Sequence, residues 1–256
     1  MNRTIINPFY AARVSGFVSN RMNNRPTPVY TKLPLAPINA SPVPHLTSLY
    51  HNHRAGEYGD RSYPGNCGGN LIKDLLLYFR PGLVCDPMAG SGTCRDVCEE
   101  LKIPCMSADI HDGHDACNPG GFAPAETFNF IWAHPAYWRM KLYADDSRDL
   151  SRAPTLSDFL RRYGQFIRNC EKALKLNGKL AILMGDYCDR QEGFVPLTFH
   201  TKRLAFAAGL TQACTDIIRF THGASSNRKV YRSSFIPGLH DTCMLFEKVA
   251  EESRGG

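Results

Sequence analysis

"DPMAGSGT", residues 86–93, joins a strand to a helix and is the most informative short stretch of this chain. It follows the apolar run Leu83-Val84-Cys85 and precedes a segment of helical pattern, so an acid and a glycine turn stand where a strand passes into a helix. In an open α/β sheet, ligands sit beyond the carboxyl ends of the strands, near the point where strand order reverses. Glycine at Gly90 and Gly92 gives the backbone the conformations and the room for a ligand to come close. Two phosphate readings fail. A triphosphate loop needs Gly-Lys-Ser/Thr, and the dinucleotide fingerprint needs a third glycine where Arg95 stands. The turn better suits a zwitterionic nucleoside, with Asp86 facing its ammonium group. Asp109, ending the next apolar segment about 20 residues on, is placed to accept ribose hydroxyls. A tight turn with a purely structural role would look the same from this stretch alone.

Outward from the turn, apolar and helical segments alternate. Strands are expected at 82–86, 104–109, 128–133, 178–184, 213–219 and 242–247, and helices at 70–79, 92–102, 155–176 and 197–209. Pro154-Thr155 opens the third helix and Asn177-Gly178 closes it. Alternation of this kind predicts a mostly parallel sheet covered by helices on both faces, with the last two strands forming a hairpin. Residues 1–65 are punctuated by PTPVY, LPLAP and SPVPH and read as an extended Pro/Asn-rich arm. The folded domain is expected over 66–250, followed by a disordered tail at 251–256.

Composition bounds the rest. The 256 residues are 43% hydrophobic and 21% charged, enough to bury a substantial core. No apolar run approaches the roughly 20 residues of a membrane span, and the N-terminus lacks the apolar stretch of a secretory signal, so a cytoplasmic protein without a membrane partner is expected. Ten cysteines are scattered without a Cys-x-x-Cys pair. Cys94 and Cys98 are spaced i,i+4, but nothing near them in sequence completes a tetrahedral set, so reduced structural thiols and no metal are expected. The net charge of +6 suits a polyanionic partner. Arg228, Lys229 and Arg232, interleaved with Tyr231 and hydroxyl side chains, form a candidate phosphate-contacting surface; a solvated basic loop is the plain alternative.

A second signature, FIWAHPAYW at 130–138, places His-Pro-Ala-Tyr-Trp at the end of an apolar strand. The pair DPMAGSGT and HPAYW resembles the amino-group methyltransferases of nucleic acids that use S-adenosylmethionine. Their second motif is usually Asp/Asn/Ser-Pro-Pro-Tyr/Phe/Trp, and some DNA methylases similar to this chain carry His-Pro-Pro-Tyr-Trp. The resemblance extends over residues 60–248, about three quarters of the chain, including YPGNCGGNLIKDLLLYFRPG before the glycine turn and LHDTCMLFEK at the end.

The resemblance implies a Rossmann-like class I methyltransferase, a seven-stranded mostly parallel sheet with an antiparallel last strand. It implies that Asp86, Ala89, Gly90, Gly92 and Thr93 line the methionine end of S-adenosylmethionine, that Asp109 holds the ribose, and that Asp115 meets the adenine ring. His134, Pro135, Tyr137 and Trp138 would form the pocket for a flipped base. His134 and the Pro135 carbonyl would hold the amine hydrogens, and Tyr137 would stack on the ring. The implied reaction is methylation of an exocyclic amine of DNA, adenine N6 first and cytosine N4 second. RNA methylation, and a catalytically silent nucleic-acid-binding subunit, are the alternatives. Ala136 stands where the family has its second proline, which loosens the turn. For the three motif side chains, the plain structural alternative is a strand-end histidine and two core aromatics.

Overall fold

The computed structural model describes residues 38–51, 56–220, 236 and 238–250. Most of the arm, the tail, and Arg228, Lys229 and Arg232 lie outside the described residues. The elements run β1 (Leu49–Tyr50), α1 (Asn70–Phe79), β2 (Val84–Asp86), α2 (Thr93–Leu101), β3 (Cys105–Ser107), β4 (Phe128–Ala133), α3 (Leu156–Ala173), β5 (Leu174–Met184), β6 (Tyr187–Asp189), β7 (Gly193–Val195), α4 (Leu197–Ala207), β8 (Leu210–Gln212), β9 (Ile217–Arg219) and β10 (Asp241–Lys248). No helix among the described residues is long and apolar enough to cross a membrane.

The main sheet has the order β1-β9-β10-β5-β4-β2-β3, with β8 also pairing with β10. Strands β3, β2, β4 and β5 are mutually parallel. The last strand, β10, runs antiparallel to β5, β8 and β9. This is a Rossmann-like α/β architecture, with the antiparallel final strand expected above. Chain order reverses at β2, which lies between β3 and β4, so a crevice opens at the carboxyl ends of β2 and β4.

Alternation along the central strands divides the core in two. Ile131 and Ala133 of β4, Leu180, Ile182 and Met184 of β5, and Met244 and Phe246 of β10 face α3 and α4. Phe130, Trp132, Ala181, Leu183, Cys243 and Leu245 face α1 and α2. Each face is apolar because helices cover both sides, which is why β4 and β5 read as continuous rather than alternating runs. Truncating one of these buried side chains to alanine would cost about 2–5 kcal/mol.

Three details depart from the sequence reading. Asn177-Gly178 does not end α3. That helix stops at Ala173, and the Asn-Gly pair lies within β5, where the register against β4 shifts between Phe128 and Phe130 and Asn177 takes φ +63°. The strand expected at 213–219 is confined to β9 at its end, and a further short strand, β8, precedes it at Leu210–Gln212; both pair with β10. Part of the segment read as an arm is built into the domain. Leu49–Tyr50 pairs with Ile218–Arg219, and buried Asp74 of α1 receives hydrogen bonds from His45 Nε2 (2.9 Å) and the Tyr50 hydroxyl (2.6 Å). A proline-punctuated stretch has little helical or strand pattern of its own, so these contacts with α1 and β9 were invisible in it.

Candidate functional site

The crevice at the ends of β2 and β4 is a cleft with about 820 Å³ of space between its walls, part of it open to solvent. Its floor is the glycine turn. Asp86, the last residue of β2, is 3% exposed, and its carboxylate accepts the Met88 amide at 3.2 Å. The amide of Ala89 donates to the Ala108 carbonyl, which holds the turn against the chain leaving β3 (3.0 Å). Gly90 has φ +46° and its amide donates to Asp109 Oδ2 at 2.9 Å. A Cβ at Gly90 would stand 2.9 Å from the Tyr63 ring, so the turn needs glycine here for both its backbone angle and its space. Gly92 (φ +75°) is the residue that opens α2, and its amide donates to the Ala89 carbonyl at 2.8 Å.

A further wall comes from residues 56–67, whose second half, from Tyr63, begins the stretch YPGNCGGN that carries part of the resemblance. Gly59 donates its amide to Asp96 Oδ2, and Asp60 donates its own to the Ser91 carbonyl, both at 2.8 Å. These bonds carry Tyr63 across the turn, where its ring stacks on Tyr143 with centroids 5.9 Å apart. Tyr143 belongs to the mixed-charge loop after β4. That loop is organised around buried Asp149, whose carboxylate accepts the amides of Ala144 (2.8 Å) and Ser151 (2.9 Å) and the Ser151 hydroxyl (2.6 Å).

Charge in the cleft is unevenly compensated. Burial pushes the Asp86 carboxyl up to about 8, so it holds a proton near neutrality and would welcome a cation. Asp109 accepts the His111 ring at Nδ1 (2.5 Å), and this bond raises the His111 pKa. Asp115 folds back to accept the Cys117 amide at 2.8 Å. Beside it, His114 lines the cleft with a buried Nε2 that has no hydrogen-bond partner among the described residues. Asp115 is marked in the sequence by the resemblance and His114 is not, because nothing in GHDACN (113–118) distinguishes a histidine that faces a cleft from one that faces water.

Of the residues singled out in the sequence, Asp86, Ala89, Gly90, Thr93, Asp109, Asp115 and His134 line this one cleft. Gly92, Pro135, Tyr137 and Trp138 do not line it. Pro135 is buried at the strand tip, while Ala136 reaches the cleft. Tyr137 packs against the core beneath β4 and β5, its hydroxyl 3.1 Å from His134 Nε2. Burial and the Asp241 carboxylate both raise its pKa. Gly185, just past β5, makes the seat, since a Cβ there would stand 2.8 Å from the Tyr137 ring and 2.8 Å from Asp241 Oδ1.

Trp138, read as part of the base pocket, is placed in the core. It is 0% exposed, Nε1 donates to the Ala153 carbonyl at 2.9 Å, and the Arg139 guanidinium covers its ring at 4.2 Å. Arg139 is itself fixed by two hydrogen bonds to Asp189, at 2.9 and 2.7 Å. These contacts hold Trp138 at φ +47°, an unfavourable angle for a bulky residue.

No protein-family model matches the chain, and no curated protein matches it. Solved structures do resemble it in fold. A DNA modification methylase candidate from Thermus thermophilus, solved with S-adenosylmethionine, shares 18% identity over 53% of this chain and 54% of its own, with a TM-score of 0.38. The chain thus spans about half the length of the Thermus structures it matches. A SAM-dependent methyltransferase from Archaeoglobus fulgidus shares 14% over 70% of this chain and 93% of its own (TM-score 0.45). The 1,6-didemethyltoxoflavin-N1-methyltransferase of Burkholderia thailandensis shares 16% over 98% and 94% (TM-score 0.41). At such identities and scores the functional reading has to come from the cleft itself.

Proposed function

We propose that this chain transfers the methyl group of S-adenosylmethionine to an exocyclic amine of a base extruded from DNA, adenine N6 before cytosine N4. One observation carries the reading: the glycine turn with buried Asp86 and the strand-tip His134 of HPAYW line the same cleft, although 48 residues separate them in sequence. The cleft suits the cofactor in three respects. A protonated buried carboxyl awaits an ammonium group at Asp86, Gly90 leaves the backbone bare, and His114 offers a ring nitrogen that lacks a partner. When bound, the sulfonium supplies an electrophilic methyl group.

The chain's own residues would do the rest by positioning. Asp86 ionises against the ligand's ammonium group. Asp109 keeps Gly90 and His111 on its two oxygens and has lone pairs left for a ribose hydroxyl. His114 and Asp115 meet the adenine edge. His134, through an unprotonated ring nitrogen, and the Pro135 carbonyl hold the two hydrogens of the target amine, which localises its lone pair for in-line attack. Tyr137 stacks on the base after its hydroxyl leaves His134; such stacking is worth ~1–3 kcal/mol per base. Arg228, Lys229 and Arg232 contact phosphate.

Incubation with labelled S-adenosylmethionine and either unmethylated genomic DNA or RNA, with the modified nucleoside identified by mass, tests this reading. N6-methyladenine in DNA is expected. Label found only in RNA moves the substrate, and cofactor binding without label in either supports a silent subunit. The seating of Tyr137 away from the cleft favours that second reading, and Ala136→Pro separates the two: a variant that gains methylation where the parent has none makes the parent silent.

A further inference from the structure

Outside the cleft, the described residues hold one group of side chains with the makings of a metal site. Cys94 and Cys98 project from α2 one turn apart, and Cys105 of β3 meets them across the helix–strand interface. The three sulfur atoms all lie within 4.8 Å of one another. Cys94 and Cys98 are fully buried, whereas Cys105 is half-buried and leaves a way in from solvent. The sequence reading stopped at the helical pair because its third member follows a turn and belongs to the neighbouring strand.

We propose that Cys94, Cys98 and Cys105 form a binding site for a thiophilic divalent d10 cation, of which zinc is the physiological example. Three sulfurs around such an ion at about 2.3 Å stand roughly 4 Å apart, so the cluster closes on it with less than ~1 Å of movement. As each metal–sulfur bond forms, the thiol gives its proton to solvent. Three thiolates on a divalent ion leave one negative charge. A monovalent ion would leave two, a larger cost at a buried position. No fourth Cys, His, Asp or Glu joins the group among the described residues, so the fourth position falls to water on the Cys105 side. The site is separate from the methyl-transfer reading and stands or falls without it.

The test is a titration of the full reduced chain with cadmium, which reports its thiolate ligands by an ultraviolet sulfur-to-metal charge-transfer band, followed by competition with zinc and by alkylation mapping of all ten cysteines. The expected result is one equivalent bound with the intensity of three thiolates, displacement by zinc, and metal-dependent protection of the half-buried Cys105 but not of the exposed Cys214. Cys105→Ser, at the accessible edge, should retain the fold by its melting curve and weaken cadmium binding at least tenfold. Cys214→Ser, an exposed thiol elsewhere, should leave it unchanged. A band worth one or two thiolates, no metal-dependent protection of Cys105, or unaltered affinity in folded Cys105→Ser overturns the site.

Discussion

The Gly90 amide donates to the Asp109 carboxylate at 2.9 Å, which ties the turn after β2 to the acid after β3 before any ligand arrives. Two segments read separately in the sequence are thus one preorganised surface, and the strength of a ligand's grip depends on that turn keeping its shape.

Gly90→Ala should therefore weaken S-adenosylmethionine binding by tenfold or more, since its Cβ meets Tyr63 and the backbone sits at φ +46°. Gly193→Ala carries a comparable backbone penalty (φ +75°) with open space around it and should leave affinity alone. Equilibrium binding of the two variants distinguishes a damaged cleft from general strain; equal affinities would remove the turn from the site.

Asp86 sets a pH dependence. Its folded pKa, raised by burial to about 8, lies above the ordinary 3.8, so its contribution to stability is fully present below about 3.8 and lost as pH rises toward 8. A ligand ammonium reverses the preference and releases about one proton on binding at neutrality, so affinity rises with pH up to about 8. Calorimetry in two buffers of different ionisation enthalpy measures that proton. Asp86→Asn should abolish the release and raise the melting temperature more at pH 8 than at pH 5.

His114→Leu should move stability and binding in opposite directions. Removing a buried ring nitrogen without a partner relieves a desolvation cost of about 1–3 kcal/mol, so the unliganded chain melts no lower than the parent. Cofactor affinity falls several-fold because the variant loses the ring nitrogen that the ligand would engage. Thermal melts with and without S-adenosylmethionine give both readouts, and unchanged affinity would take His114 out of the cofactor contacts.

His134 is tested at saturating cofactor, where cofactor binding does not limit the rate. A ring nitrogen that must accept an amine hydrogen has no counterpart in alanine, so His134→Ala should lower the methylation rate at least ~tenfold while cofactor affinity stays close to the parent's. His134→Asn, whose side-chain oxygen also accepts, should retain more of the rate. Equal rates for the parent and His134→Ala would exclude the role.

The sheet and the glycine turn are legible in the residues alone. Apolar runs of strand length separated by helical patterns leave few arrangements that bury both faces, and an acid before Gly-x-Gly at a strand end marks where a ligand approaches. The pairing of DPMAGSGT with HPAYW is legible there too. Folding in three dimensions sets which way side chains at a strand tip turn: His134 into the cleft, Tyr137 onto Gly185 and Asp241, Trp138 into a core closed by Ala153 and Arg139. It likewise brought Tyr63 over the turn, left His114 facing the cleft, and gathered Cys105 to Cys94 and Cys98. These are contacts between segments distant in the chain or choices of rotamer and loop path, fixed by packing against neighbours that local pattern does not encode.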